Sequence, residues 1–161
     1  MCTVKSCARE TGLPCNPAAE AGRPSSSLLL HDSDLSGGDR DAVLVVDDEP
    51  SVLTVLKISL EKSGFRVIVA GSGAEALAKF EALQDQIRVV ITDMAMPGMN
   101  GLDLIRSIRK FDTAVELVAT TGMTTPDQMR AIREAGVRHV INKPCSSRHM
   151  IELIRNLFST P

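Results

Sequence analysis

Ala42-Val43-Leu44-Val45-Val46-Asp47-Asp48-Glu49-Pro50 is the stretch on which the fold of this chain turns. Its apolar run, with no polar residue alternating, describes a strand buried on both faces, as in a parallel sheet. The three acidic residues after it end the strand abruptly, and Pro50 stands where the first turn of a helix tolerates it. Val52, Val55, Leu56 and Leu60 then share one helical face up to Gly64.

The same alternation continues along the chain. Arg66–Ala70 is a second short strand, and 74–83 is a helix carrying Ala76, Leu77 and Phe80. Ile87–Thr92 is a third apolar run, after which Pro97-Gly98 turns the chain into a helix over Gly101–Lys110. Val115–Thr120, Pro126–Ala135, Val137–Asn142 and Ser146–Phe158 complete the series as strand, helix, strand and helix. Five strand–helix units within about 120 residues predict an α/β fold. Right-handed crossovers then give a parallel five-stranded sheet covered by helices on both faces.

Upstream the composition changes. Residues 1–41 hold three of the eight Pro, four of the eleven Gly and the run Ser25-Ser26-Ser27. They carry four basic against six acidic side chains, leaving 42–161 neutral with 14 of each sign. With no hydrophobic period, 1–41 reads as a disordered N-terminal extension and 42–160 as the domain.

Of the 161 residues, 43 % are hydrophobic, enough for a packed core, whereas only 2 % are aromatic. A net charge of −2 and the absence of Tyr and Trp leave neither a basic footprint nor stacking platforms, so no direct nucleic-acid binding is expected. No run approaches the ~18 apolar residues of a membrane span, and Leu28-Leu29-Leu30 is too short for a secretory core. Cys2, Cys7, Cys15 and Cys145 form no disulfide framework, which points to a reduced, cytoplasmic setting. A metal knot at the first three would need a fourth ligand and a different spacing.

A doubly wound parallel sheet holds its ligand beyond the carboxyl ends of its strands. There stand Asp47, Asp48 and Glu49 after the first strand and Asp93 after the third. Thr120-Thr121-Gly122 closes the fourth and Asn142-Lys143-Pro144 the fifth. If the strand order is 2-1-3-4-5, the first and third strands are neighbours and three carboxylates crowd one pocket. Two unit charges ~4 Å apart repel by about 1–4 kcal/mol, so the pocket calls for a cation. Open, oxygen-only ligands suit Mg²⁺, which keeps waters and binds a phosphoryl oxygen. Asp93 can then attack phosphorus and form an acyl phosphate. Mg²⁺, Lys143 and the Thr121 hydroxyl would share the equatorial oxygens as charge spreads.

Each residue alone has a plainer reading. An acidic pair after a strand is usually a helix cap, Asp93 could form a turn, Thr121 before Gly is ordinary turn chemistry, and a lone Lys is normally solvated. Their joint placement at four strand ends of one sheet is what points to phosphoryl chemistry. Gly71-Ser72-Gly73 is too short, and lacks the Lys, for a phosphate loop.

These stretches resemble the receiver domains of bacterial two-component response regulators. The resemblance is carried by Val43–Pro50, by Ile91-Thr92-Asp93-Met94-Ala95-Met96-Pro97-Gly98-Met99-Asn100-Gly101, by Thr121-Gly122 and by Lys143-Pro144. The 28 residues from Asp93 to Thr121 and 22 from Thr121 to Lys143 also agree. It implies a flavodoxin-like (βα)5 three-layer sandwich of strand order 2-1-3-4-5. It further implies that Asp93 accepts phosphoryl from a sensor histidine kinase or a histidine phosphotransfer protein. Asp48, Asp93 and the backbone carbonyl of Ala95 would ligate Mg²⁺, with Asp47 acting through metal-bound water. Thr121 would move toward the phosphoryl oxygens, Lys143 would pair with them, and Lys143-Pro144 would be a cis peptide. Signal would pass by conformational change to a protein target through helix 4, strand 5 and helix 5, where Arg130, Arg133, Arg138, His139, Arg148 and Arg155 face Glu134 and Glu152.

Three departures stand out. Val140 occupies the position where the family usually has an aromatic residue that reports movement of the Thr, with half-exposed His139 beside it. Cys145 follows Lys143-Pro144 in place of the common Phe and reads as a small buried hydrophobe. Ala95 and Met123, two residues beyond Asp93 and Thr121, are both apolar.

Other classes fit less well. Haloacid-dehalogenase-type phosphatases carry their nucleophile on the first strand and a second Asp two residues later as acid and base; here that residue is Ala95. The protein is therefore expected not to be an enzyme beyond accepting and slowly losing its own phosphoryl group. A receiver-like interaction module working without phosphorylation, or a receiver fragment of a hybrid histidine kinase, are the alternatives to an apparently stand-alone receiver. Because apolar Ala95 and Met123 do not guide water to an acyl phosphate, the phosphoryl label should outlast seconds in the isolated protein. Its loss within seconds, followed by intact mass, would refute that.

Overall fold

The computed structural model describes residues 40–159. Apart from Arg40 and Asp41, the extension expected over 1–41 lies outside the described residues. The ten elements run β1 (Ala42–Val46), α1 (Pro50–Glu61), β2 (Arg66–Ala70), α2 (Gly73–Leu83), β3 (Ile87–Asp93), α3 (Gly101–Phe111), β4 (Glu116–Thr121), α4 (Pro126–Glu134), β5 (His139–Asn142) and α5 (Ser147–Ser159). The strands form one parallel sheet in the order β2-β1-β3-β4-β5, so the flavodoxin-like (βα)5 architecture is observed.

Burial on two faces explains why β1 carries no polar residue. Leu44 and Val46 pack with Phe80 of α2, Leu104, Ile105 and Ile108 of α3, and Ile132 of α4. Val43 and Val45 point to the other layer, with Leu60 of α1 and with Met150 and Ile154 of α5. Each fully buried aliphatic side chain contributes about 1.5–3 kcal/mol relative to exposure, so both layers are held chiefly by β1 and β3.

Element ends differ from the sequence reading where side chains compete for the backbone. Val115 was expected to open β4, but its N–H and that of Ala114 donate to Asp112 Oδ1, and its carbonyl accepts from Arg109. The ladder therefore begins at Glu116. Val137 was expected in β5, yet its N–H donates to Ile132 O behind Gly136, whose φ of +86° closes α4, and pairing starts at His139. Val55 was placed on the inner face of α1 and is 55 % exposed; Leu53 packs inward in its stead.

In-register pairing brings the strand ends level. Val46 pairs with Thr92, Asp93 with Thr120, and Thr121 with Asn142. Asp47 and Asp93 thus follow one another at the same height on adjacent strands. α3 then starts hard against this edge: a Cβ on Gly101 would lie 2.2 Å from Asp93 O and 2.9 Å from Met94 Cα. Asn100 caps the helix by accepting the Asp103 N–H at 2.9 Å.

Gly101→Ala should therefore destabilise the domain by roughly 1–3 kcal/mol, the usual cost of overpacking, although helix propensity alone favours Ala by about 1 kcal/mol. Urea unfolding reads this directly, and an unchanged or higher midpoint would mean that α3 has room to retreat.

Candidate functional site

The site is built on three loops leaving the sheet edge. Asp47 directly follows β1, and its N–H donates to Ala70 O of β2 at 3.3 Å, which extends the ladder by one residue. One carboxylate oxygen accepts the Glu49 N–H at 3.0 Å, so the start of α1 is tied to the group it presents. Asp93 ends β3, with Met94 N donating to Thr120 O at 3.0 Å behind it. Both carboxylates are nearly enclosed, at 3 % and 6 % exposure, while Asp48 is exposed.

Lys143 joins them. Its Nζ lies 2.8 Å from Asp47 Oδ2 and 3.2 Å from Asp93 Oδ1. The Lys143-Pro144 peptide is cis, as the resemblance implied. Partial burial disfavours the charged ammonium, but the hydrogen bonds it donates to Asp47 and Asp93, helped by their fields, outweigh it and hold the lysine pKa above its ordinary value.

One oxygen from each of Asp47, Asp48 and Asp93 lies within 4.8 Å of the others. Three carboxylates against one ammonium leave this cluster short of positive charge. Hard oxygen donors with one exposed member fit a divalent cation that keeps part of its water, which is the habit of Mg²⁺. Ala95 stands in the exposed turn after β3.

Thr121 is brought to the same edge but is engaged elsewhere. Its main-chain oxygen accepts the Lys143 N–H at 2.7 Å, whereas its hydroxyl donates to Met123 O at 3.3 Å and accepts from Thr124 at 3.0 Å. Thr124 was not singled out from sequence, since a Thr three residues after another in a turn carries no period or motif. Thr125 had a signal: with Gln128 it forms a reciprocal cap on α4.

The departures have concrete settings. Val140 is partly buried against the α2–α4 side of the core, and His139 is half-buried at the start of β5. Cys145, expected to be buried, is only half-buried; it packs against the α1–α5 side, its thiol donates to Ser146 O at 3.3 Å, and burial pushes its pKa up. Ser51, Val52, Leu56, Pro144 and Cys145 line a cleft of about 330 Å³ that reaches Asp47 and Lys143. On the α4–β5–α5 face, Arg130 pairs with Asp127 and Glu134, and Arg138 pairs with Glu116, so Asp127 and Glu116 are counter-charges the sequence reading left out. These exposed pairs contribute little each. No helix among the described residues is long and apolar enough to cross a membrane.

Comparison with known proteins agrees with this geometry. Residues 43–155 match the response regulator receiver domain family. The DNA-binding response regulator MtrA of Mycolicibacterium smegmatis is 34 % identical over 116 residues, 72 % of this chain and 50 % of that protein. The transcriptional regulatory protein KdpE of Mycobacterium tuberculosis is 34 % identical over 113 residues, 70 % of this chain and 49 % of its own length. The chain thus spans about half the length of the curated relatives it matches. A response regulator receiver domain protein from Clostridium thermocellum superposes with a TM-score of 0.68 at 33 % identity, covering 72 % of this chain and 92 % of that one. A response regulator receiver protein from Pseudomonas putida gives 0.68 at 30 % identity, over 74 % and 99 % of the two chains. On sequence, strand order and the acidic edge together, this chain belongs to the response regulator receiver domain family.

Proposed function

We propose that this protein relays a two-component signal by accepting a phosphoryl group on Asp93. The observation that carries the reading is Lys143 held between Asp47 and Asp93, with Asp48 alongside. One Asp93 oxygen attacks phosphorus of a phosphohistidine on a sensor kinase or phosphotransfer protein. The new O–P bond forms as the P–N bond to imidazole breaks, and the imidazole nitrogen keeps the electron pair and is reprotonated. Mg²⁺, held by Asp48, Asp93 and the Ala95 carbonyl with Asp47 behind a water, would offset the charge of the incoming group. In this reading Lys143 leaves the Asp93 carboxylate for a phosphoryl oxygen, and Thr121 donates to another.

This is acceptance and slow loss of one group, without turnover of a substrate. Ala95 offers no side-chain base two residues after Asp93. The altered α4–β5–α5 surface would then meet a protein target, in a cytoplasmic setting.

Intact-protein mass after incubation with acetyl phosphate tests this. A single phosphoryl adduct should form with Mg²⁺, and should be absent without Mg²⁺ or in Asp93→Asn. No adduct under any condition would favour a phosphorylation-independent module.

The metal site has its own test. Asp48→Asn removes one like charge from the cluster and should raise the melting temperature of the metal-free protein. The wild type should gain about 1.4 kcal/mol at a Mg²⁺ concentration tenfold above its dissociation constant, and Asp48→Asn should lose most of that response. Equal Mg²⁺ responses in the two proteins would remove Asp48 from the ligand set.

A further inference from the structure

Thr121 has one hydroxyl proton, and it is donated to the main-chain oxygen of Met123. The Thr121 hydroxyl oxygen in turn accepts the Thr124 hydroxyl at 3.0 Å. The two side chains and one carbonyl form a linear relay, Thr124 to Thr121 to Met123, beside Met94, Ala95 and Asn100 in a cavity of about 470 Å³.

Both ends of this loop are anchored. Beneath it, Lys143 N–H donates to Thr121 O at 2.7 Å. Beyond it, Thr125 and Gln128 cap α4 reciprocally, with Thr125 N–H donating to Gln128 Oε1 at 2.9 Å. Between the anchors the chain has freedom. A Cβ on Gly122 would meet nothing within 4 Å, and Met123 is 93 % exposed.

We propose that Thr124 is a positioning residue for Thr121. Its hydroxyl locks Thr121 in the rotamer that spends its proton on Met123 O, and release of this lock carries phosphorylation into the 122–125 loop. The inference rests on Asp93 being the phosphoacceptor. One proton cannot serve Met123 O and a phosphoryl oxygen at once, so the two donations define two states. A charged phosphoryl oxygen is a stronger acceptor than a carbonyl, so the exchange is favourable once the group is present and unfavourable before. The released Met123 carbonyl lies in an exposed loop where water can take over. Such an element meets the requirement that phosphoryl contact the two states differently. It also supplies a read-out where Val140, wedged against the core, has no ring to rotate.

Thr124→Val removes the hydroxyl at nearly constant shape, and Thr124→Ser keeps it. A net neutral hydrogen bond corresponds to about fivefold in population. The initial rate of adduct formation with acetyl phosphate and Mg²⁺ should therefore rise about fivefold in Thr124→Val and return to the wild-type rate in Thr124→Ser. In a Thr121→Val background, Thr124→Val should change nothing, because its partner is gone. An unchanged rate in Thr124→Val, or the same acceleration in the Thr121→Val background, overturns the proposal. A second measurement needs no phosphorylation: methyl NMR couplings should report one Thr121 χ1 rotamer in the wild type and averaging in Thr124→Val. Averaging in the wild type, or a fixed rotamer in the variant, overturns the lock even if no adduct ever forms. Absence of an adduct in the wild type, with the rotamers as expected, instead overturns the assignment of Asp93.

Discussion

Like charges packed at one sheet edge govern this structure. Asp47 and Asp93 are almost wholly enclosed on adjacent strands, and Lys143 reaches both from a third loop. Enclosed carboxylates repel more strongly than solvated ones and are expensive to desolvate unless paired. The ammonium meets that requirement only in part, because Asp48 adds a third carboxylate within the same few ångströms. Three carboxylates against one ammonium thus leave this edge short of positive charge.

The strands that carry this edge are apolar and buried beneath it. β1 and β3 are buried on both faces, and their in-register pairing leaves Asp47 and Asp93 at one height. α3 can approach Asp93 because Gly101 has no side chain to keep it off. Asn100 and Thr125 begin α3 and α4 at defined points, so the loops between strand and helix stay short. Paired strands hold Asp47 and Asp93 level, and Lys143 reaches both from the loop after β5.

β5 carries a departure from the usual receiver pattern noted in the sequence. Val140, partly buried against the core, stands where an aromatic residue is usual. The Thr124 hydroxyl gives Thr121 a local partner within the loop that leads into α4. In the proposed switch, a phosphoryl oxygen on Asp93 and the Met123 carbonyl would compete for the one Thr121 hydroxyl proton.

Much of this was legible in the residue order. Uninterrupted apolar runs at Ala42–Val46 and Ile87–Thr92 can satisfy burial only as central parallel strands, and the acidic, hydroxyl and lysine residues stand at their ends, where such a sheet holds ligands. The site residues were therefore readable as a set before any was placed. Element ends were less so, because Asp112 capturing the amides before β4 and Gly136 closing α4 are side-chain and dihedral choices with no periodic signature. Val55 was misread because apolar character at helical spacing does not say which residue of a stripe the neighbouring layer covers. The close approach at Gly101, the bridging reach of Lys143 and the Thr124–Thr121 bond were decided by tertiary structure alone. Each is a distance between groups whose separation along the chain carries no information until the sheet brings them to one edge.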